Sequence, residues 1–441
     1  MKNKSLINPK RLIKNNLHKL YSKKVEIFYN LSSDEILDYR NKRFKDILEH
    51  SLKYVPYYNQ PIYHEFYNSF EKTHFNHLNE LPILKKQDVK DFNDKFWSSK
   101  KFKIRTVHTT SGTSGKTIKM NTFLEEKLFQ LSTLNTWYKK IGIETGWKIY
   151  LSGFMTPNNN SDDKFWIDKL DKSIYLSIYD INKKNISLYE KLFSQYNPKL
   201  IYGYPSTVYE FSKVITESIS IIKILRYTNL KVVTTSEVLQ PGWADFILNN
   251  VGDIYNLYGS QEGAHFATTF KDGYIYNHPY YGVIETVDDN NRIIEGSLGN
   301  VIVTGLNKKS MPLIRYDIGD TATIEKMTDG WDKIHEIGGR SEDLIKKKDG
   351  SKVSLLNFHA SKNINEINLS QIIQYSYDRF LVNINYIENT NESLKHQVNE
   401  KFASAMKNRL GNKNLDIKFK EMEEFSKGPN GKFKSVIVKE F

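Results

Sequence analysis

The chain has 441 residues, 39% of them hydrophobic and 13% aromatic, which is too long for one core and apolar enough to pack two or three domains. It contains no cysteine, so a disulfide framework, a thiol nucleophile and a cysteine-ligated zinc are all excluded. Its formal net charge is +13, yet the 64 lysines and arginines are spread along the chain without an arginine–aromatic platform, a pattern of solvated faces rather than of a nucleic-acid surface.

The first 25 residues are the exception to that spread. Lys2, Lys4, Lys10, Arg11, Lys14, Lys19, Lys23 and Lys24 meet no acid there, as in an arm that touches an anionic membrane surface or partner, or in a solubilising tail. No apolar run approaches the roughly 18 residues of a membrane span. No apolar core and cleavage site of a secretory signal open the chain, so a cytoplasmic location is expected. Residues 33–70 carry apolar positions at Ile36, Leu37, Phe44, Ile47 and Leu48, the spacing of a helix. Prolines at 56 and 82 break this helical region, which extends over about 26–100.

Thr109-Thr110-Ser111-Gly112-Thr113-Ser114-Gly115-Lys116-Thr117 follows. Small side chains, hydroxyls, two glycines and a lysine expose backbone N–H groups and a cation at close range, which suits polyphosphate oxygens. Gly115-Lys116-Thr117 ends like a Walker A loop, but position 110 is threonine where that motif needs glycine, and Arg105 to His108 make a poor buried strand. The Walker reading fails.

A helix is expected over 123–140, with Leu124, Leu128, Leu131, Leu134, Trp137 and Ile141 on one side. Strands then alternate with helices. Residues 147–151, 199–204, 230–235 and 253–258 read as strands, one helix has Ser206 as its N-cap, and another carries Pro241 in its first turn. The alternation implies βαβ units and a largely parallel sheet, with ligands at the strands' C-terminal ends near Tyr204, Ser236-Glu237 and Tyr258. From about 281 to 337 short strands with tight turns suggest a small antiparallel barrel or sheet. Beyond Gly338-Gly339, strands near 380–387, 414–420 and 434–439 and a helix near 393–409 suffice for a small α+β domain.

The loop at 109–117 resembles the Thr-Ser-Gly-Ser/Thr-Thr-Gly-Lys-Pro phosphate loop of the adenylate-forming enzymes, the acyl-CoA synthetases and their relatives. Val55-Pro56-Tyr57 and Leu81-Pro82 with Lys85 and Lys86 resemble the N-terminal turns of the phenylacetate-CoA ligase and CapK branch. Tyr258-Gly259-Ser260-Gln261-Glu262 resembles Tyr-Gly-x-Thr-Glu, and departs from it at Gln261. Arg315 to Asp320 resembles a segment whose final aspartate holds the ribose, which aligns Asp320 and leaves Asp317 as a turn residue. Gly339-Arg340-Ser341-Glu342-Asp343 resembles the join between large and small domains, with Glu342 where Asp or Lys is usual. Gly431-Lys432 resembles the Gly-Lys pair of the catalytic lysine, with Lys427 and Lys434 as fallback candidates. Together these segments span residues 50 to 434 in the family's order.

The resemblance implies an α/β fold: a large domain over 1–339 and a small mobile α+β lid over 340–441. It implies ATP and Mg²⁺. Thr110, Ser111, Gly112, Thr113, Ser114, Gly115 and Lys116 would hold the phosphates. Ser236, Glu237, Tyr258, Gly259, Ser260, Gln261, Asp320 and Arg340 would surround the nucleotide. Glu262 would bind Mg²⁺, and Lys432 would bridge carboxylate and α-phosphate. The carboxylic acid would meet Tyr204, Gly263, Ala264 and His265. The acceptor is coenzyme A on one branch; on the CapK branch, associated with surface polysaccharides and matched by Lys352 to His359, it is an amine or hydroxyl of a sugar or amino acid. A nucleotide-binding protein without catalysis stays as the reading of another class.

Overall fold

The computed structural model describes residues 21–73, 75–101, 104–109, 118–143, 145–152, 165–270, 272–340, 344–349, 352–353, 355, 364, 366–387, 390–425 and 433–441. The chain divides into two compact units, one of Met1–Glu144 with Tyr255–Ile337 and the other of Thr145–Ile254 with Gly338–Phe441.

In the first unit, α1 (Ser33–Tyr54) starts from a capping box, in which Glu35 N donates to Ser32 Oγ and Ser32 N donates to the Glu35 carboxylate. It buries Ile36, Phe44, Ile47 and Leu48, whereas Leu37 is 39% exposed and off the apolar face on which the sequence placed it. The helix stops at Pro56, which has no N–H to donate, and α2 (Pro61–Thr73) resumes beyond a 3₁₀ turn. Tyr58, fully buried in that turn, donates its hydroxyl to Pro312 O and accepts Ile314 N–H. A short helix, α3 (Lys86–Asp91), precedes the ribbon of β1 (Arg105–Thr109) and β2 (Lys119–Phe123), which leads directly into α4 (Leu124–Lys140).

The second part of this unit is β-rich. Strands β8 (Asp253–Gly259), β9 (Phe266–Thr269), β10 (Ile275–Asn277), β11 (Gly282–Val287), β12 (Leu298–Gly305), β13 (Tyr316–Glu325) and β14 (Lys333–Arg340) lie in the order β11-β12-β13-β14-β10-β9-β8. Of the two forms expected for this region, the sheet is what the strands build. The core joins Phe44, Leu48 and Phe66 from the helices to Val283, Val301, Val303 and Ile314 from the strands. Arg315, at φ +49° between β12 and β13, is buried against Glu285 and donates to the carbonyls of Asn79 and Leu81.

The second unit holds the sheet β7-β6-β3-β5-β4, made of β3 (Lys148–Ser152), β4 (Phe165–Asp168), β5 (Ser173–Ser177), β6 (Leu200–Gly203) and β7 (Lys231–Thr235). All neighbours are parallel except β4 with β5. Helices α5 (Ile186–Tyr196), α6 (Pro205–Ile215), α7 (Ile219–Tyr227) and α8 (Pro241–Asn250) supply Leu192, Phe211, Ile221 and Ile247 to the core beneath Ile149, Ile201 and Val232. Ser206 is not the N-cap of α6. Tyr204 takes that place because Pro205, with its fixed φ, occupies the first helical turn.

The C-terminal part of this unit forms a sheet in the order β19-β18-β17-β20, from β17 (Ile367–Gln374), β18 (Arg379–Tyr386), β19 (Asp416–Glu421) and β20 (Val436–Val438). It is preceded by the ribbon of β15 (Ile345–Lys346) and β16 (Lys352–Val353), and α9 (Glu392–Leu410) packs Phe402 and Met406 onto it. The α9 helix is capped by Asn391 at one end and by left-handed Gly411 at the other. The expected strands and helix of this part are β18, β19, β20 and α9; the central strand β17 was not read from the sequence. The architecture is thus α/β with a small C-terminal α+β domain. Among the described residues, no helix is long and apolar enough to cross a membrane.

Candidate active site

The β1–β2 ribbon is antiparallel, with Thr109 opposite Lys119 at its end. Thr110, Ser111, Gly112, Thr113, Ser114, Gly115, Lys116 and Thr117 lie outside the described residues. One residue before Thr109, His108 Nε2 is 3.4 Å from the carbonyl oxygen of Gln261. Desolvation holds the His108 ring below its ordinary pKa, against a smaller opposing effect of that contact. The ribbon that flanks the candidate phosphate loop therefore sits beside the loop that follows β8, within one unit.

That second loop turns tightly, with Gly263 N–H donating to Ser260 O at 3.1 Å and Gly263 at φ +68°, a region that glycine enters without strain. Gln261 is exposed and Glu262 is buried. Lys308, on the β12–β13 connection, donates from Nζ to Glu262 O at 2.7 Å and is itself buried. Burial pushes this ammonium down to about 8, with Glu126 and Glu262 opposing the shift. Glu126, in the first turn of α4, accepts the N–H groups of Phe123 and Ser310, and desolvation raises its pKa. Ser310 Oγ also donates to Asn121 O on β2. Lys308, Glu126 and Ser310 thus bind the β1–β2 ribbon, the β8 loop and the β12–β13 connection into one polar knot. None of the three carries a motif, and no local signal could have found them.

Tyr258, at the end of β8, donates its hydroxyl to Asp320 Oδ2 at 3.1 Å. Asp317 turns away from it: Oδ1 accepts Gly319 N–H at 2.9 Å and Oδ2 lies 3.3 Å from Lys85 Nζ. Asp317 is therefore the turn residue and Asp320 the carboxylate beside Tyr258. The Tyr258 ring lies 4.8 Å from that of His265, which is 1% exposed with neither ring nitrogen hydrogen-bonded among the described residues. Burial lowers the imidazole to about 4, only partly offset by Glu262, so it is neutral at physiological pH. Ser260 Oγ is likewise buried without a partner among the described residues. Ala264 is fixed by backbone packing, since a Cβ built on Gly282 would lie 2.0 Å from Ala264 O.

In the second unit, Ser236 follows β7 in a left-handed conformation at φ +70° and is exposed. Glu237 accepts Ser206 N–H at 3.1 Å and Phe433 N–H at 2.8 Å. Tyr204 is half-buried at the head of α6, and Arg340 is exposed at the end of β14. Lys434, one of the fallback lysines, accepts a hydrogen bond at its carbonyl from Gln371 Nε2. Glu342, Lys427 and Lys432 lie outside the described residues. Among the described residues no cluster of three or more His, Asp or Glu is arranged to hold a metal ion. A carboxylate such as that of Glu262 suits Mg²⁺ where phosphate oxygens and water complete its shell.

Comparison with known proteins finds relatives of the same fold. Residues 345–439 match the family of the CapK C-terminal domain. Protein CapK of Staphylococcus aureus is 24% identical over 416 residues, 92% of this chain and 89% of the relative. The structure of 2-hydroxyisobutyryl-CoA ligase in the postadenylation state, in complex with R3-HIB-AMP, superposes with a TM-score of 0.68 at 14% identity, covering 92% of this chain and 89% of that one. The amide bond synthetase McbA from Marinactinospora thermotolerans gives 0.50 at 13% identity, covering 74% of this chain and 66% of that one.

Proposed function

We propose that this CapK-like chain, built on the adenylate-forming fold, is a ligase that activates a carboxylic acid with ATP as an acyl-adenylate. The observation that carries the reading is the placement of the β1–β2 ribbon against the β8 loop, His108 to Gln261, with Glu262 in that loop and the Tyr258–Asp320 pair beside it. A carboxylate is a poor electrophile, and attack of its oxygen on the α-phosphorus, with pyrophosphate leaving, turns it into an anhydride with a good leaving group. Negative charge rises on the α-phosphate in that step, so fixed cations and amide dipoles lower the barrier. Residues 110–117 hold the β- and γ-phosphates, Tyr258 stacks on adenine, and Asp320, oriented by the Tyr258 hydroxyl, accepts the ribose hydroxyls. Glu262 would hold Mg²⁺, which when bound would supply Lewis-acid polarisation. Lys432 bridges the carboxylate and the α-phosphate. The acid lies along Gly263, Ala264 and the neutral His265, whose ring nitrogens find no partner among the described residues.

In the second step an acceptor displaces AMP. Two acceptors fit the chemistry, a thiol of coenzyme A and an amine or hydroxyl of a sugar or amino acid. The resemblance of the C-terminal part to CapK favours the latter, and with it a place in surface polysaccharide synthesis. Carboxylate-dependent exchange of labelled pyrophosphate into ATP, run over a panel of short hydroxy, amino and aromatic acids, tests the first step. Mass spectrometry of products formed with CoA or with amines separates the acceptors. ATP binding without exchange for any acid refutes the ligase and leaves the catalytically inactive nucleotide-binding protein.

A further inference from the structure

The loop that follows β8 holds more hydrogen-bonding capacity than the fold uses. His265 is 1% exposed, and neither Nδ1 nor Nε2 has a partner among the described residues. In the same loop Ser260 Oγ is buried in the same condition. Other buried histidines of this unit are satisfied. His278 lies 2.7 Å from Thr268 Oγ1 on one nitrogen and 2.8 Å from Tyr280 Oη on the other, and His50 Nε2 lies 2.9 Å from Ser98 Oγ. A buried polar group without a partner destabilises the fold, and a leucine of nearly the same volume would fill the place of His265 without that cost. The unmet atoms therefore call for a partner that the chain itself does not supply.

The surroundings favour a ligand in that part. The His265 ring is packed 4.8 Å from the ring of Tyr258, whose hydroxyl is tied to Asp320. Gly263 presents no side chain, and a Cβ built on it would meet Tyr281 Oη at 3.8 Å and Lys308 Nζ at 3.9 Å, so polar atoms ring the loop there. Burial keeps the imidazole neutral at physiological pH. A neutral imidazole presents one N–H donor and one acceptor nitrogen. The reacting carboxylate is an acceptor only, so it can use the N–H and leaves the other nitrogen unmet. A hydroxyl both donates and accepts, and it can pair with the ring through either nitrogen and in either tautomer. An alkyl or aryl group can pair with neither.

We infer that His265 is a specificity residue for a hydroxylated carboxylic acid, its ring, with Ser260 Oγ, pairing with hydroxyl groups that the acid carries besides its carboxylate. The inference rests on the ligase reading for the place of the acid and adds the substrate class to it. A site whose buried polar groups are paired only by the right substrate rejects the analogue without the hydroxyl far more strongly than an apolar pocket rejects one methylene.

The experiment compares acids that differ by hydroxyl groups alone: lactate with propionate, 3-hydroxybutyrate with butyrate, and gluconate with hexanoate. Calorimetry on the full chain with AMP present reads the affinity for each acid without turnover, in wild type and in His265→Leu. For at least one pair the wild type is expected to bind the hydroxylated acid at least roughly tenfold more tightly. H265L is expected to lose that preference by weakening toward the hydroxylated acid while holding its affinity for the unsubstituted one. A smaller wild-type preference in every pair overturns the inference, and so does a preference that H265L keeps. The wild-type comparison stands by itself, so it decides even where the variant fails to fold. Pyrophosphate exchange with the same acids tests the ligase reading separately. Selective binding with no exchange for any acid refutes that reading and leaves the hydroxyl recognition standing, and exchange without selective binding does the reverse.

Discussion

Replacing His265 with leucine is expected to make the protein less acid-sensitive without weakening it at neutral pH. Leucine has nearly the volume of histidine, so the change leaves little cavity and little overpacking. At neutral pH wild type holds a buried imidazole whose N–H and ring nitrogen find no partner among the described residues, a burden of roughly 1–3 kcal/mol that leucine removes. The acid effect follows from the lowering of this ring to about 4 by burial. The unfolded chain takes up the proton near the ordinary histidine value of about 6.5 while the folded chain resists it, so unfolding binds a proton across that window. The stability this group contributes is present above about pH 6.5 and is lost as pH falls toward 4. Between about pH 7 and pH 4.5 the loss is about 2.5 kcal/mol. Urea unfolding followed by tryptophan fluorescence at both pH values should therefore show the gap between H265L and wild type widening by that amount as the solution is acidified. Parallel pH dependences would refute the reasoning, because they would mean that the ring is protonated or partnered in the folded protein. If His265 lines the acid as proposed, pyrophosphate exchange by H265L should fall at unchanged KM for ATP.

Arg315→Met should destabilise by roughly 3–5 kcal/mol, because it leaves Glu285 buried without its cation and frees the carbonyls of Asn79 and Leu81. Thermal unfolding of R315M beside an R315M/E285L double variant checks this, the double variant recovering much of the loss. Asp320→Ala removes the acceptor of the Tyr258 hydroxyl and should raise KM for ATP at least roughly tenfold with the melting temperature unmoved, as measured by initial rates and scanning fluorimetry. Lys308→Met removes the donor that holds Glu262 O, and KM for ATP should rise while circular dichroism stays that of wild type. Lys432→Ala should abolish pyrophosphate exchange and keep ATP affinity by calorimetry.

Local chemistry sufficed for much of this molecule. Pro56 ends α1 wherever the helix packs, since the missing N–H is a property of one residue. The alternation of apolar strands with helices between residues 147 and 258 announced a parallel arrangement, and the resemblance of Arg315 to Asp320 to a ribose-binding segment separated the turn aspartate from the one beside Tyr258. Where a polar or strained residue served a distant partner, the sequence was silent. Strand β17 was missed because Ser370, Gln371 and Gln374 sit among its apolar residues and break the expected pattern; all three are buried, and Gln374 is satisfied by the backbone of Lys346.

What the sequence by itself determined, then, was the set of elements and the candidate loops, because propensity, capping and turn preference act within a few residues. Only the tertiary structure decided that Lys308 holds Glu262 across 46 positions and that Glu237 holds the amide of Phe433 across 196. It also decided that residues 145–254 gather with the C-terminal segment rather than with the helices before them. Hydrogen bonds between buried groups form wherever the fold brings a donor and an acceptor together, and no local pattern encodes which pair that will be.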